Sequence, residues 1–226
     1  MPAQGSEDRE IRKISPEELS ERRERKMQQA MEEDRKARDA RIAEQLRAKL
    51  GRRFRSRTFD NYRPNAENTT AVNACKRFVD NVDRKDGNGL IIIGPYGVGK
   101  THMAAAITNA LLDKGIPCLF DTFSGHLATL KAEIDSGEKR RHLDLMKRVP
   151  VLVIDDVGKE QVTDYTKNVL FDVINSRYEA YLPVVITTNY NAKQLETYLG
   201  GAIFSRICET CTAIAMRGED YRIKRR

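Results

Sequence analysis

Residues 89–101, Gly89-Leu90-Ile91-Ile92-Ile93-Gly94-Pro95-Tyr96-Gly97-Val98-Gly99-Lys100-Thr101, constrain this chain more than any other stretch. Four apolar residues run straight into a glycine-rich turn, which ends in Gly-Lys-Thr and opens an apolar-faced segment at 102–112. The pattern is strand, loop, helix with the full G-x-x-x-x-G-K-[ST] spacing. Its chemistry is phosphate binding. Gly94, Gly97 and Gly99 let the loop, with Pro95, Tyr96 and Val98 between them, curl its backbone N–H groups around an anion. The helix that starts near Gly99 turns its positive end to the same anion, and His102 lies in its first turn. Lys100 reaches the outer phosphates of a nucleotide, and Thr101 offers a hydroxyl to Mg²⁺. A chance loop can carry this string, but rarely between a buried strand and a helix.

A second apolar run, 151–154, ends in Asp155-Asp156. A buried parallel strand that delivers acids at its C-terminal end is where open α/β sheets place chemistry. Asp155 is expected to hold Mg²⁺, and Asp156 to orient or deprotonate the attacking water. Two capping acids in a turn are the bland alternative. A further run at 184–189 ends in Asn189, one strand end away from the acids. An amide there can bond both the terminal phosphate and the water, or it can close a local Asx-turn. Strands are also expected at 117–122 and 212–216, and helices at 66–82, 124–135, 139–147, 165–178, 192–199 and 202–210. A turn is expected at 83–88.

The N-terminal part reads differently. Residues 1–14 are polar, and Ser15-Pro16-Glu17-Glu18 is a helix start with a capping box. From 17 to 50 charge dominates, with pairs such as Glu21–Arg25 and Glu32–Lys36 at i,i+4. Apolar residues are sparse, and Ile42, Leu46 and Leu50 share one face. Such a helix docks on a partner, on its own domain or on another copy, or else stays solvated. Gly51 ends it. Between Arg47 and Arg63 lie seven basic residues and one acid, so much of the formal charge of +7 sits in this linker. Arg52, Arg53, Phe54, Arg55 and Arg57 suit a nucleic-acid strand. Equally, Phe54, Phe59 and Tyr62 can clamp the linker to the domain while the arginines face water.

The 226 residues suffice for one α/β domain plus an extension. The division expected is a helical arm at 1–50, a linker at 51–64 and a nucleotide-binding domain at 65–226. Cys75, Cys118, Cys208 and Cys211 have no second Cys/His pair beside Cys208-x-x-Cys211, which favours structural thiols over a metal site. No apolar signal core or 18-residue apolar run is present, so the expectation is a reduced, soluble, cytoplasmic protein with no membrane contact.

Six short strings are similar to one family: Gly-Val-Gly-Lys-Thr-His at 97–102, Ile-Asp-Asp-Val-Gly at 154–158, Asn-Ser-Arg-Tyr at 175–178, Thr-Thr-Asn-Tyr at 187–190, Ser-Arg-Ile at 205–207 and Gly-Glu-Asp-Tyr-Arg at 218–222. They resemble the DnaC/DnaI family of bacterial replicative helicase loaders, P-loop AAA+ ATPases that also include the transposition ATPase IstB. The likeness covers about residues 52–226 and extends to the linker at 53–62. It implies an α/β P-loop fold with a five-stranded parallel sheet flanked by helices. It implies ATP with Mg²⁺, slow hydrolysis, and a hexameric replicative helicase of DnaB type held by the N-terminal arm. It implies placement of that helicase on single-stranded DNA, and side-by-side assembly in which Arg206 reaches a neighbour's γ-phosphate. Arg177 is a candidate second interface arginine, with a surface salt bridge as the competing role.

Two departures qualify the resemblance. Asp155-Asp156 replaces the usual Asp-Glu, a variation that also occurs among the loaders and suits slow turnover. About ten residues follow the last strand, too few for a helical lid, so the nucleotide pocket is expected to be open on that side unless a neighbour or the N-terminal extension covers it. Residues 1–50 hold no Cys or His, so the zinc-binding arm of some loaders is absent. Two other readings stay open: a transposase-helper ATPase assembling on duplex DNA, and a nucleotide-gated adaptor with little enzymatic function.

Overall fold

A computed structural model of the chain describes residues 15–63, 66–82, 86–137, 141–161 and 163–224. The expected loose stretch 1–14 and half of the expected turn at 83–88 lie outside these residues. Helix α1 (Pro16–Lys49) starts at the expected capping box: Glu18 N donates to Ser15 Oγ at 3.1 Å, and Ser15 N donates to Glu18 Oε2 at 3.0 Å. The chain divides into two compact units, the first ending at Arg38 and the second running from Asp39. In the first unit α1 is solvent-exposed, with Leu19, Met27 and Met31 among the exposed apolar residues.

The second unit takes the last turns of α1 into its core. Ala43, Leu46 and Leu50 are buried, and Ile42 packs beside them. The stripe of apolar residues read from the sequence is the reason: these are the only turns of α1 with enough apolar surface to repay burial. Arg47 pairs with Asp113 at 2.7 Å. The break between units therefore falls twelve residues before Gly51, inside the helix rather than at its end.

A five-stranded all-parallel sheet forms the centre, built from β1 (Gly89–Ile93), β2 (Cys118–Thr122), β3 (Val151–Val157), β4 (Val184–Thr188) and β5 (Cys211–Ala215) in the order β2-β3-β4-β1-β5. Short helix α2 (Arg52–Arg55) lies in the linker, followed by α3 (Thr69–Asn81) and α4 (Lys100–Asp113). Then come α5 (Phe123–Asp135), α6 (Arg141–Arg148), α7 (Asp164–Glu179), α8 (Ala192–Leu199), α9 (Gly201–Thr210) and α10 (Tyr221–Lys224). Helix α4 is buried almost all round, between the sheet, α2 and α3. Its alanines at 104–106 permit that close packing. No helix among the described residues is long and apolar enough to cross a membrane. All four cysteines are thiols, and no metal-holding cluster of His, Cys, Asp or Glu occurs among the described residues.

The expected elements are present with small shifts at their ends, and three differences matter. Strand β3 carries both acids inside it rather than after it, with a register shift between Ile154 and Val157 and Asp156 at φ +64°. Helices α2 and α10 were not foreseen. Arg177 is neither an interface arginine nor a surface salt bridge: it is 1% exposed. Its guanidinium donates to the carbonyls of Met146, Val149, Pro150 and Pro183 at 2.6–3.2 Å. These are carbonyls at the C-terminal end of α6 and at the starts of β3 and β4, and a five-donor fork satisfies several at once.

Candidate nucleotide site

Strand order creates the site. β4 lies between β1 and β3, so the residue that follows β4 stands between the loop after β1 and the acids of β3. That residue is Asn189. Its Oδ1 accepts from Lys100 Nζ at 2.6 Å, and its Nδ2 donates to Asp156 Oδ1 at 3.3 Å. Lys100 Nζ also donates to the carbonyls of Gly94 and Pro95 at 2.8 and 2.7 Å. The ammonium, 6% exposed as a residue, thus sits inside the turn of the loop. Asn189 makes side-chain links to both neighbours and does not close an Asx-turn.

Asp155 is 1% exposed, and its Oδ1 accepts from the Thr187 hydroxyl at 2.5 Å. The same hydroxyl oxygen accepts from Asp156 N at 2.8 Å, so one β4 side chain positions both acids. Burial pushes the Asp155 carboxyl above the usual range; hydrogen bonds from Thr187 and Thr101 oppose this, Asp156 adds to it and Lys100 opposes it. Thr101, expected to share a metal with Asp155, thus lies near enough to favour its charged form. A hydroxyl and a carboxylate are hard oxygen donors that suit Mg²⁺.

The loop has the form an anion cradle needs. Gly97 and Gly99 have φ +76° and +101°. A Cβ at Gly97 would lie 1.9 Å from Asp220 Oδ1, and one at Gly99 would lie 2.6 Å from the Tyr62 ring. These contacts come from two segments that pack on the loop. The segment after β5 crosses the loop, with Met216 N donating to Ile93 O at 2.7 Å and Tyr221 N to Gly97 O at 3.3 Å. From the linker, the Tyr62 hydroxyl donates to Val98 O at 3.0 Å. Asn68, buried, joins the two covers: its Nδ2 donates to Arg217 O and its Oδ1 accepts from Arg217 N, both at 2.8 Å. Tyr96 and Pro95 keep outward positions in the loop, and Val98 is buried under it.

His102 faces the linker. Its Nε2 donates to Thr58 O at 2.8 Å, so Nδ1 is the acceptor for Arg57 Nη1 at 3.3 Å. Burial lowers its pKa and Arg57 adds to this, consistent with a neutral ring. Only its backbone N–H remains for an anion. Of the nucleic-acid candidates, Phe54 packs on Phe120 at 4.8 Å, and Asn109 Nδ2 donates to the carbonyls of Phe54 and Arg57. Arg55 Nε donates to Leu50 O at 2.6 Å and its Nη2 to Ala48 O, closing the end of α1. Arg52 and Arg53 are exposed. Arg206 lies apart from this group on α9, its guanidinium 5.7 Å from the Phe171 ring and 5.5 Å from the Tyr178 ring. Sequence reasoning missed Thr187, Tyr62 as a loop contact, Asn68 and Lys159. Lys159 pairs with Asp156, and its spacing of three from an acid was the available signal.

A phosphate loop, an acid pair in β3 and an amide between them, on this sheet, define a P-loop ATPase of AAA+ type. The IstB-like ATP binding protein family matches residues 11–226, and the chain belongs to it, the DnaC/DnaI/IstB-like group of AAA+ ATPases. It is 30% identical over 154 residues to the replicative helicase loader DnaC of Escherichia coli strain K12, a match covering 66% of this chain and 62% of DnaC. It is 32% identical over 111 residues to the replicative helicase loader DnaI of Bacillus subtilis strain 168, covering 49% of this chain and 36% of DnaI. The fold superimposes on the crystal structure of the DnaC helicase loader with a TM-score of 0.69 at 30% identity, covering 74% of this chain and 100% of that one. The matches thus span less than two thirds of the two curated relatives.

Proposed function

We propose that this chain loads a hexameric replicative helicase onto single-stranded DNA under the control of ATP. The observation that carries the reading is the likeness to the DnaC loader in sequence and in fold; the phosphate loop, the acid pair and the amide brought together by strand order support it. Gly94–Thr101 hold the phosphates, and Thr101 and Asp155 hold Mg²⁺, which supplies charge neutralisation when bound. Lys100 neutralises the outer phosphates. Asn189 and Asp156 orient the water, and Asp156 takes its proton. Arg206 of one subunit serves the site of a neighbour, which makes isolated subunits weak ATPases.

The arm supplies the helicase contact. In the first unit the exposed Leu19, Met27 and Met31 are apolar side chains on an otherwise charged helix, and flexible methionines suit a docking face. Arg52 and Arg53 are exposed linker arginines that suit a DNA strand. The test is co-purification of the full chain, and of its Met27→Glu/Met31→Glu form, with a replicative helicase of DnaB type, with and without ATP. Binding by the native chain that the double variant loses supports the reading and fixes the arm's role. Absence of binding in both nucleotide states refutes it. The match to an IstB-like family favours, as second reading, a transposase-helper ATPase; ATP-dependent filaments on duplex DNA without helicase binding would establish that role.

A further inference from the structure

The turn after the acids folds a lysine back over Asp156. Asp156 and Gly158 both have positive φ, +64° and +109°, on either side of Val157, which still pairs with Thr188 at the end of β3. Aspartate is one of the few residues other than glycine that enters this region readily. A Cβ at Gly158 would meet the Tyr190 ring at 2.5 Å, so the second position requires glycine. Lys159 Nζ thereby pairs with Asp156 Oδ2, on the oxygen that Asn189 does not use. The same ammonium lies 5.8 Å from the centre of the Tyr96 ring, in the phosphate loop. Its side chain is 51% exposed and that of Asp156 22%. A half-exposed ion pair adds little stability, so stability does not account for a turn with two left-handed residues. Its position does: a half-exposed point charge stands between the phosphate loop and the acid.

We propose that Lys159 is a phosphate-reading cation of this same subunit, which leaves Asp156 for the terminal phosphate of a bound nucleoside triphosphate. The inference rests on the ATPase reading above. A terminal phosphate offers more negative charge and more acceptor oxygens than a carboxylate, so the exchange is electrostatically downhill. It releases the carboxylate while Asn189 still holds its other oxygen. A diphosphate lacks that terminal group and leaves the pair in place. Lys159 then makes the site prefer triphosphate over diphosphate, and couples that preference to the freedom of the acid.

The experiment uses the full chain with Mg²⁺ and measures dissociation constants for fluorescent ADP and a non-hydrolysable ATP analogue. Lys159→Met is expected to weaken the triphosphate about five- to tenfold, as for one lost charge-assisted contact, with ADP affinity within about twofold. Lys159→Arg is expected to keep most of the preference. Equal weakening for both nucleotides, or no change in either, overturns the proposal. Thermal unfolding separates out a structural role: Lys159→Met is expected within about 2 °C of the native chain, and a much larger fall makes Lys159 a structural latch and overturns the proposal. If the native chain binds neither nucleotide, the ATPase reading fails and this inference falls with it.

Discussion

Lys100 Nζ donates to Asn189 Oδ1 across 2.6 Å, joining two residues 89 positions apart. Through the other end of that amide the link continues to Asp156. The phosphate-loop lysine and the second acid of β3 are therefore tied by one side chain whose place is set by β4 lying between β1 and β3.

Replacing that amide should separate binding from chemistry. Asn189→Ala removes a bridge near the reacting atoms but leaves the loop, Thr101 and Asp155 in place. Turnover is expected to fall about 10²- to 10³-fold, the usual effect of losing one positioned polar contact. Affinity for a non-hydrolysable ATP analogue should change by less than about fivefold. Single-turnover hydrolysis beside equilibrium titration checks both.

Gly97→Ala should damage stability and binding together. The new Cβ would meet the Asp220 carboxylate at 1.9 Å, at a backbone φ of +76°. A cost of about 1–3 kcal/mol is expected from the conformation alone. Thermal unfolding should show the loss, and nucleotide titration should show weakened binding, because the segment over the loop is displaced.

The linker is held by α4 rather than lying loose. Asn109 Nδ2 donates to Phe54 O at 2.9 Å and to Arg57 O at 2.7 Å. Asn109→Ala removes both bonds and should cost about 1–3 kcal/mol. Trypsin should then cut faster among the arginines at 52–57, with cleavage of the domain core little changed at early times. Unaltered cutting would show that Phe54 and Tyr62 suffice to hold the linker.

Acid should destabilise the fold through a buried histidine pair. His126 Nε2 donates to Val153 O at 3.2 Å, so its Nδ1 accepts from His142 Nε2 at 3.0 Å. Asp121 and Glu133 lie near His142, and burial pushes the His126 pKa from 6.5 down to about 4. The folded state prefers the neutral ring, whereas the unfolded chain takes the proton. The stability from this group is complete above pH 6.5 and is lost as pH falls towards 4, by up to about 3 kcal/mol. Asp155 works in the opposite sense, since its raised pKa favours the folded state at low pH. The readout is therefore a difference: denaturant unfolding of the native chain and of His126→Gln from pH 7 to 4, with a shallower fall expected for the variant.

Much of the fold was legible because its signals are local. The apolar runs, the capping box at Ser15 and Glu18 and the loop spacing each lie within a few residues, and each appears where the sequence put it. Arg177 was misread for the opposite reason. Its carbonyl partners come from the α6 end and two strand starts, which no short stretch of sequence brings together.

The site divides in the same way. By itself the sequence determined the loop, the acid pair and the amide, because phosphate and Mg²⁺ chemistry demands particular residue types at short spacing. Tertiary structure decided how they connect. It placed Asn189 between Lys100 and Asp156, set both acids on Thr187, and covered the loop with Tyr62 and the segment after β5. The physical reason is strand order. Short spacing fixes which groups each strand end carries, whereas packing the apolar faces of the helices on the sheet fixes which strand ends become neighbours.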